Sequence, residues 1–268
     1  MPITRRSLLL TGLATTALAR ARPAGATEEP DLGLGYLEAL HLPEGQPYLP
    51  PSALHADYRL AIYVNTALSG EGTQKMWVLA RGEAAEWQLA LHDEGYWDQK
   101  RGPGAVPAYS WPVSTGRKYP GDSRSGPTPV GIFNVDDRRY RPGWGSPGMY
   151  NALYIDLHYS GGRASGVAIH GTTKGQYRKL GRADSHGCVR MKTGNADKIW
   201  ALIHPEGARR DASPLWGTIP RYFSSAGTTD MSARSGYVRD GSLLYAKDGS
   251  PLTREGYRMV FVFFRDDL

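Results

Sequence analysis

Short apolar runs, broken again and again by glycine and proline, are the feature that most limits what this chain can become. Tyr58–Val64, Lys75–Ala80, Trp87–Leu91, Trp111–Thr115 and Val130–Val135 each collect apolar side chains over a handful of residues. That length suits a strand and falls short of a helix. Leu153–Tyr159 and Val167–His170 follow, with Ser160-Gly161-Gly162 between them as a hairpin signal. Asp248-Gly249 marks a further tight turn, and Val260–Phe264 is continuously apolar. A strand with no polar face must be buried on both sides. With 33 Gly and 19 Pro to punctuate them, these runs predict a mostly β fold, a sandwich or barrel with few short helices. Trp77, Trp87, Trp97 and Trp111 read as sheet packing rather than as a sugar-binding platform. No internal repeat is evident.

The organisation predicted from the same pattern has four parts. Residues 1–26 read as an export signal: Arg5-Arg6, then Ser-Leu-Leu-Leu, an apolar stretch to Ala19, and Ala24-Gly25-Ala26 as a small-residue cleavage site. Thr4-Arg5-Arg6-Ser7-Leu8-Leu9 resembles a twin-arginine signal and places the protein in the periplasm or cell envelope. An ordinary secretory signal is the alternative. The stretch is too short and too rich in Thr and Gly to hold stably in a membrane, and no later run is long enough to span one. Residues 27–55 read as a linker or surface lead-in with a brief helix at Leu32–Leu40. Residues 56–204 form the central domain, which closes on a helix at Asn195–Ile203 with Asn195 as its N-cap. Residues 205–268 are an extension packed on that domain, with Tyr237–Val238 and Leu243–Tyr245 flanking a turn at Asp240-Gly241.

The formal charge is +6. Arg5, Arg6, Arg20 and Arg22 lie in the leader without an acid among them, and taking them away leaves +2. The basicity therefore says little about nucleic acid, and no nucleic-acid-binding motif is present.

The chain has one cysteine, Cys188, which excludes an intramolecular disulfide and a multi-cysteine zinc site. A lone thiol is either inert filling or a nucleophile. The nucleophile is the thiolate, so a free thiol with pKa near ~8.5 needs a base or a positive field beside it. Cys188 sits in Ser185-His186-Gly187-Cys188-Val189-Arg190, and His170 lies fourteen intervening residues before Ser185. His170 and His186 are both candidate bases, and a glycine next to the thiol permits close approach of backbone and substrate.

This spacing, His, fourteen residues, Ser-His-Gly-Cys, a small apolar residue and Arg, resembles the signature of the YkuD-type L,D-transpeptidase catalytic domain. Val113-Ser114-Thr115-Gly116 followed by Thr128-Pro129-Val130-Gly131-Ile132-Phe133 resembles a second segment of that family in the right order. The resemblance implies an L,D-transpeptidase-like β fold and a cofactor-free cysteine acyltransferase acting on peptidoglycan stem peptides as donor and acceptor. It implies Cys188 as nucleophile, His170 as general base, the Gly171 carbonyl as orienter of that ring, and the N–H groups of Gly187 and Cys188 as oxyanion donors. Ser185 would hold the loop by a local hydrogen bond. His186 would be a cleft wall, and Arg190 either binds a carboxylate or braces the loop. Residues 136–152, rich in Arg, Gly and Pro without a clean period, read as a lid or substrate wall, and the resemblance implies Met149, Tyr150 and Tyr154 as lining of the donor pocket. Thr128 and Pro129 read as scaffold.

Alternatives stay open at this stage. Water in place of the acceptor amine makes the same site an L,D-carboxypeptidase or endopeptidase. A triad through Asp184 is a lesser option, since Asp184 is expected to point into solvent. A zinc site from His158, His170, His186 and Cys188 lacks the short paired spacings of such sites. A catalytically inactive wall-binding protein would not need the intact Cys and His set. Neither the oligomeric state nor the acceptor can be read from these residues.

Overall fold

A computed structural model describes residues 32–43, 46–82, 86–92, 109–137, 148–159, 161–207, 210–222 and 243–267. The expected leader, Trp97, residues 138–147 of the expected lid, and the turn at Asp240-Gly241 lie outside the described residues.

The described residues form strands β1 (Leu60–Asn65), β2 (Lys75–Ala80), β3 (Gln88–Leu89), β4 (Ser110–Pro112), β5 (Gly131–Asn134), β6 (Tyr150–Tyr154), β7 (Ala168–Thr172), β8 (Val189–Lys192), β9 (Trp216–Pro220), β10 (Thr253–Tyr257) and β11 (Met259–Phe264). Two α-helices, α1 (Leu34–Ala39) and α2 (Thr193–Ile203), and short 3-10 turns complete them. The main sheet runs β3-β2-β1-β11-β5, with β4 also paired to β2. β1 and β11 are parallel, and the other neighbours in this sheet are antiparallel. A second sheet runs β6-β7-β8, and β9 and β10 make a separate ribbon. The fold is mostly β, as the short runs require, and it is layered rather than a closed barrel.

Alternation along β1 and β11 explains the layers. Leu60, Ile62 and Val64 of β1 share one core with Phe261 and Phe263 of β11. That core also takes Leu153, Ile169, Val189 and Met191 of the second sheet and Ala196, Ile199 and Ile203 of α2. Ala61, Tyr63, Val260, Val262 and Phe264 point the other way, into a second core with Leu37, Leu54, Tyr58, Trp77 and Ile219. Successive strand residues face opposite sides, so a strand between two apolar layers must be apolar throughout. The buried-strand reading of Val260–Phe264 therefore holds. Trp77 and Trp111 are fully buried and Trp87 nearly so, in keeping with packing.

Two domain expectations need correction. Residues 32–55 are not a linker. Leu37 is fully buried, Tyr36 stacks on Trp77 with ring centroids 5.4 Å apart, and the Trp77 indole N–H donates to the Leu32 carbonyl at 2.6 Å. The segment seals the second core, which β1 and β11 alone would leave exposed. Nor are residues 205–268 an added extension, because β11 is inserted between β1 and β5 in the main sheet. Local pattern reports that a strand is buried but not which strands flank it. A smaller correction concerns α2, which begins at Thr193 rather than at an Asn195 cap. Asn195 is buried in its first turn. Among the described residues no helix is long and apolar enough to cross a membrane.

Candidate active site

The parallel pairing of β7 and β8 brings the two motif halves together. Their register sets Ile169 beside Val189 and His170 beside Arg190. Ile169 and Val189 face the first core, so by alternation Ala168, His170, Cys188 and Arg190 face away from it. Cys188, two residues before Arg190, lies diagonally across from His170. Both line a cleft of about 360 Å³, together with Gly148, Met149, Ser185, His186 and Arg190. Thr172, Thr173 and Gln176 extend its wall. Sequence reasoning did not find these three, because Thr172 ends β7 and Thr173 and Gln176 follow it in a polar stretch without a strand or helix period.

His170 is only 3% exposed. Its Nδ1 lies 2.9 Å from the Gly171 carbonyl oxygen. A carbonyl only accepts, so Nδ1 carries the proton and Nε2 keeps its lone pair. Burial holds the ring neutral, with its pKa pushed down to about 4. The Gly171 bond opposes that shift, and the Arg190 guanidinium adds to it. The ring is thus a neutral base with one tautomer fixed by backbone. Gly171 has no room for a side chain, since a Cβ there would lie 2.9 Å from Thr193 Cα of α2.

Cys188 is half-buried. It packs with Met149 on the cluster of Ala152, Tyr154 and Ala168, and its S–H points to the Gly166 carbonyl at 3.7 Å. The loop before it is strapped to the upstream Ser-Thr-Gly segment almost entirely by backbone. Asp184 and Ser185 N–H both donate to the Thr115 carbonyl, Arg117 N–H to Ser185 O, and Gly126 N–H to His186 O. Thr128 is the clasp: its hydroxyl accepts from Gly116 N–H at 2.7 Å and donates to Gly187 O at 2.8 Å. A Cβ on Gly116 would sit 2.5 Å from Gly187 Cα and 2.4 Å from Gly126 O. Gly187 has φ +146°, a region L side chains avoid. These contacts account for Ser114, Thr115, Gly116 and Thr128 of the second motif segment, which hold the thiol loop and do not line the cleft, while Gly131, Ile132 and Phe133 form β5. Gln74, fully buried, completes the frame by bonding Thr115 through both ends of its amide. It lies outside either motif, so nothing local in the chain marks it.

Several expected residues take up different posts. Ser185 does make local bonds: its hydroxyl accepts from Gly187 N–H at 3.1 Å and donates to Cys188 O. The Gly187 N–H, expected to serve an oxyanion, is therefore engaged. Arg190 braces the loop by donating to the Asp184 carbonyl at 2.8 Å, and it also lines the cleft. His186 is 58% exposed, stacks on Tyr119 at 4.8 Å and pairs with Asp122 at 3.2 Å. Tyr154 is buried beneath the thiol rather than lining the cleft, and Tyr150 is 43% exposed at the start of β6. Of the three expected pocket residues, Met149 lines the cleft.

Asp184 is the largest departure. Expected in solvent, it is 7% exposed. Its carboxylate accepts from Tyr119 at 2.5 Å and meets Lys179 and Arg117 at 3.2 Å each and Arg182 at 3.7 Å. The Tyr119 hydroxyl, then Lys179 and Arg117, hold it below the usual carboxylate range. It anchors the loop, while the His170 ring is oriented by Gly171. Among the described residues, Asp136, Asp156 and His158 are grouped closely enough to ligate one ion. None belongs to the cleft, and the Arg254 guanidinium already lies 3.1 Å from Asp156.

Residues 90–223 match the YkuD family, the L,D-transpeptidase catalytic domain. The chain belongs to this family. Curated proteins give no match. Similar solved structures include the LD transpeptidase LdtMt1 in complex with imipenem, 20% identical over 54% of this chain and 53% of its own, with a TM-score of 0.29. An L,D-transpeptidase from Mycobacterium smegmatis is 17% identical over 54% of each chain, TM-score 0.31. Another, from Xylanimonas cellulosilytica, is 15% identical over 55% of this chain and 56% of its own, TM-score 0.27. The chain spans about half the length of each. The assignment rests on the family match alone. Within the L,D-transpeptidase domain so defined fall His170, Cys188, the Thr128 clasp and the Asp184 anchor; β1, β2 and β11 lie outside the matched residues.

Proposed function

We propose that the protein is an L,D-transpeptidase that remodels or cross-links peptidoglycan through a Cys188 thioester. The observation that carries this reading is the placement of His170 on β7 and of Cys188 immediately before its partner strand β8 in one cleft, with the imidazole neutral and its Nε2 lone pair left open by the Gly171 bond. Nε2 takes the Cys188 thiol proton as sulfur attacks the carbonyl carbon of a stem peptide. The oxyanion is met by backbone N–H groups of the thiol turn. The Cys188 N–H is one, and Gly187 joins it by exchanging the Ser185 hydroxyl for the new charge. His170 then protonates the leaving amine, the C–N bond breaks, and the thioester remains. A second amine attacks it, gives its proton to His170 and expels the thiolate. The same site with water as acceptor hydrolyses the bond instead.

The test is mass spectrometry of the mature protein with a purified tetrapeptide-containing muropeptide. Cross-linked dimers and a covalent adduct that disappears in Cys188→Ala are the expected result. Shortened stems without dimers would assign hydrolysis. No adduct with either the muropeptide or a carbapenem would leave a wall-binding protein without catalysis.

The proposed site of action is the cell envelope, reached by the twin-arginine route, on the strength of Arg5-Arg6 and Ala24-Gly25-Ala26. Lys at both arginines should stop export in a cell-fractionation assay. Unchanged export would assign the general secretory route.

A further inference from the structure

A second cavity, of about 300 Å³, opens at the far end of α2 from the cleft. Its walls are apolar, formed by Leu60, Ala80, Leu202, Pro214 and Leu215, and its charged lining is Arg59, Arg81 and Arg258. The three arginines are one row of the main sheet. Leu60 is paired with Ala80 of β2 and with Met259 of β11, and each arginine lies one residue beyond those pairs. Arg81 N–H donates to Arg59 O at 3.0 Å, and Arg59 N–H to Arg258 O at 2.8 Å. Adjacent strands lie about 4.8 Å apart, so the three arginine backbones sit side by side, and all three residues line the cavity.

Such a row is costly alone. Burial and then the neighbouring Arg59 charge push the Arg81 pKa down. Among the described residues none of the three makes a salt bridge; the nearby carboxylate of Asp57 lies 3.5 Å from the His55 ring. Arg81 is held in place by Tyr58 and His55 carbonyls and lies over the Trp87 ring at 4.3 Å. Arg59 donates one N–H to Ala56 O. The buried Arg258 Nε has no hydrogen-bond partner among the described residues. Arg59 and Arg258 thus bring two guanidinium charges, without a carboxylate partner among the described residues, to an apolar cavity, at a place where an anion would relieve like-charge repulsion.

We propose that this cavity binds a small amphipathic anion, a carboxylate or phosphate head seated on the arginine row with a short apolar body against Leu60, Leu202 and Leu215. Planar guanidinium groups bind either head by paired N–H donors. The volume lies at the small end of ligand pockets, which limits the body to a short chain. The site is independent of the proposed chemistry at Cys188.

Isothermal titration of the full chain with hexyl phosphate and with hexanoate tests this, with hexanol and inorganic phosphate as controls. Saturable binding of at least one of the two anions, at least about tenfold tighter than either control, is the expected result. The tighter of the two identifies the head group. Arg59→Gln with Arg258→Gln should weaken binding about tenfold or more, while the rate of iodoacetamide reaction at Cys188 stays unchanged. Arg59→Lys, which keeps the charge and loses the fork, should weaken it several-fold and guards against a misfolded double variant. Equal binding of hexanol, binding unaffected by the double variant, or no saturable binding of either anion would overturn the proposal.

Discussion

β11 and the Cys188 loop are held by opposite means. All six residues of β11 are buried, and they face two apolar cores. Its stability comes from area removed from water, which is large and non-directional. The thiol loop is held by individual hydrogen bonds to Thr115, Thr128, Ser114 and Arg190 and by charges converging on Asp184. Each bond contributes modestly but fixes a direction. The sheet supplies free energy, and the loop supplies geometry. A change in the first should cost the whole fold, and a change in the second should cost chemistry ahead of stability.

The largest effect should come from β11. Phe261→Ala removes a fully buried ring from the first core and should destabilise the protein by about 3–5 kcal/mol. Denaturant unfolding measures it, and thiol reactivity and fold should fail together. A loss of reactivity with stability intact would break the contrast. Next is His170→Ala, which should slow acylation of Cys188 by roughly 10²–10⁴-fold, against a few-fold at most for His186→Ala. Stopped-flow acylation with a carbapenem reads both, and the reverse ranking would exchange their roles. Gly116→Ala pushes a methyl into Gly187 and Gly126. A stability loss of about 1–3 kcal/mol should accompany a clearly larger relative fall in acylation. The subtlest is a pH effect. The His170 pKa is lower folded, about 4, than unfolded, near ~6.5. The neutral ring therefore stabilises the fold above ~pH 6.5, by roughly 3 kcal/mol, and that contribution fades as pH falls toward 4. His170→Gln should flatten stability across this window. An unchanged slope would mean another group titrates there.

The site was more legible than the fold that carries it. His170 and Cys188 announce themselves because the proposed chemistry demands particular residue types at a spacing that β7, a loop and β8 can satisfy. Ser185 stands out through its place beside Cys188, whereas Met149 is reached only through the family resemblance. Asp184 was not legible, because its partners Tyr119, Arg117, Lys179 and Arg182 converge only in three dimensions. Tyr154, assigned to the pocket by resemblance, is instead buried under the thiol, because a family likeness names a segment without telling what covers each of its residues. In the fold, strand periodicity was plain in β1, β2, β5 and β11. The pairing of β1 with β11 was not, since nothing local in Leu60–Asn65 refers to Met259–Phe264. The lead-in before residue 55 was read as a linker because its Pro and Gly content hides the few side chains, Leu37 and Leu54 among them, that fill the second core.

The seat of β11 between β1 and β5 also sets an order of events. Leu60 waits for Met259, 199 residues later, before the main sheet can close. Until then β1 and β5 each present an open edge, the kind of edge that invites pairing with another chain. Contacts of such long range slow folding, because a large loop must be closed before any of them rewards the chain. A ribosome releasing this polypeptide therefore holds an unsealed sheet until β11 has emerged, and whatever guards the nascent chain must cover those two edges until then.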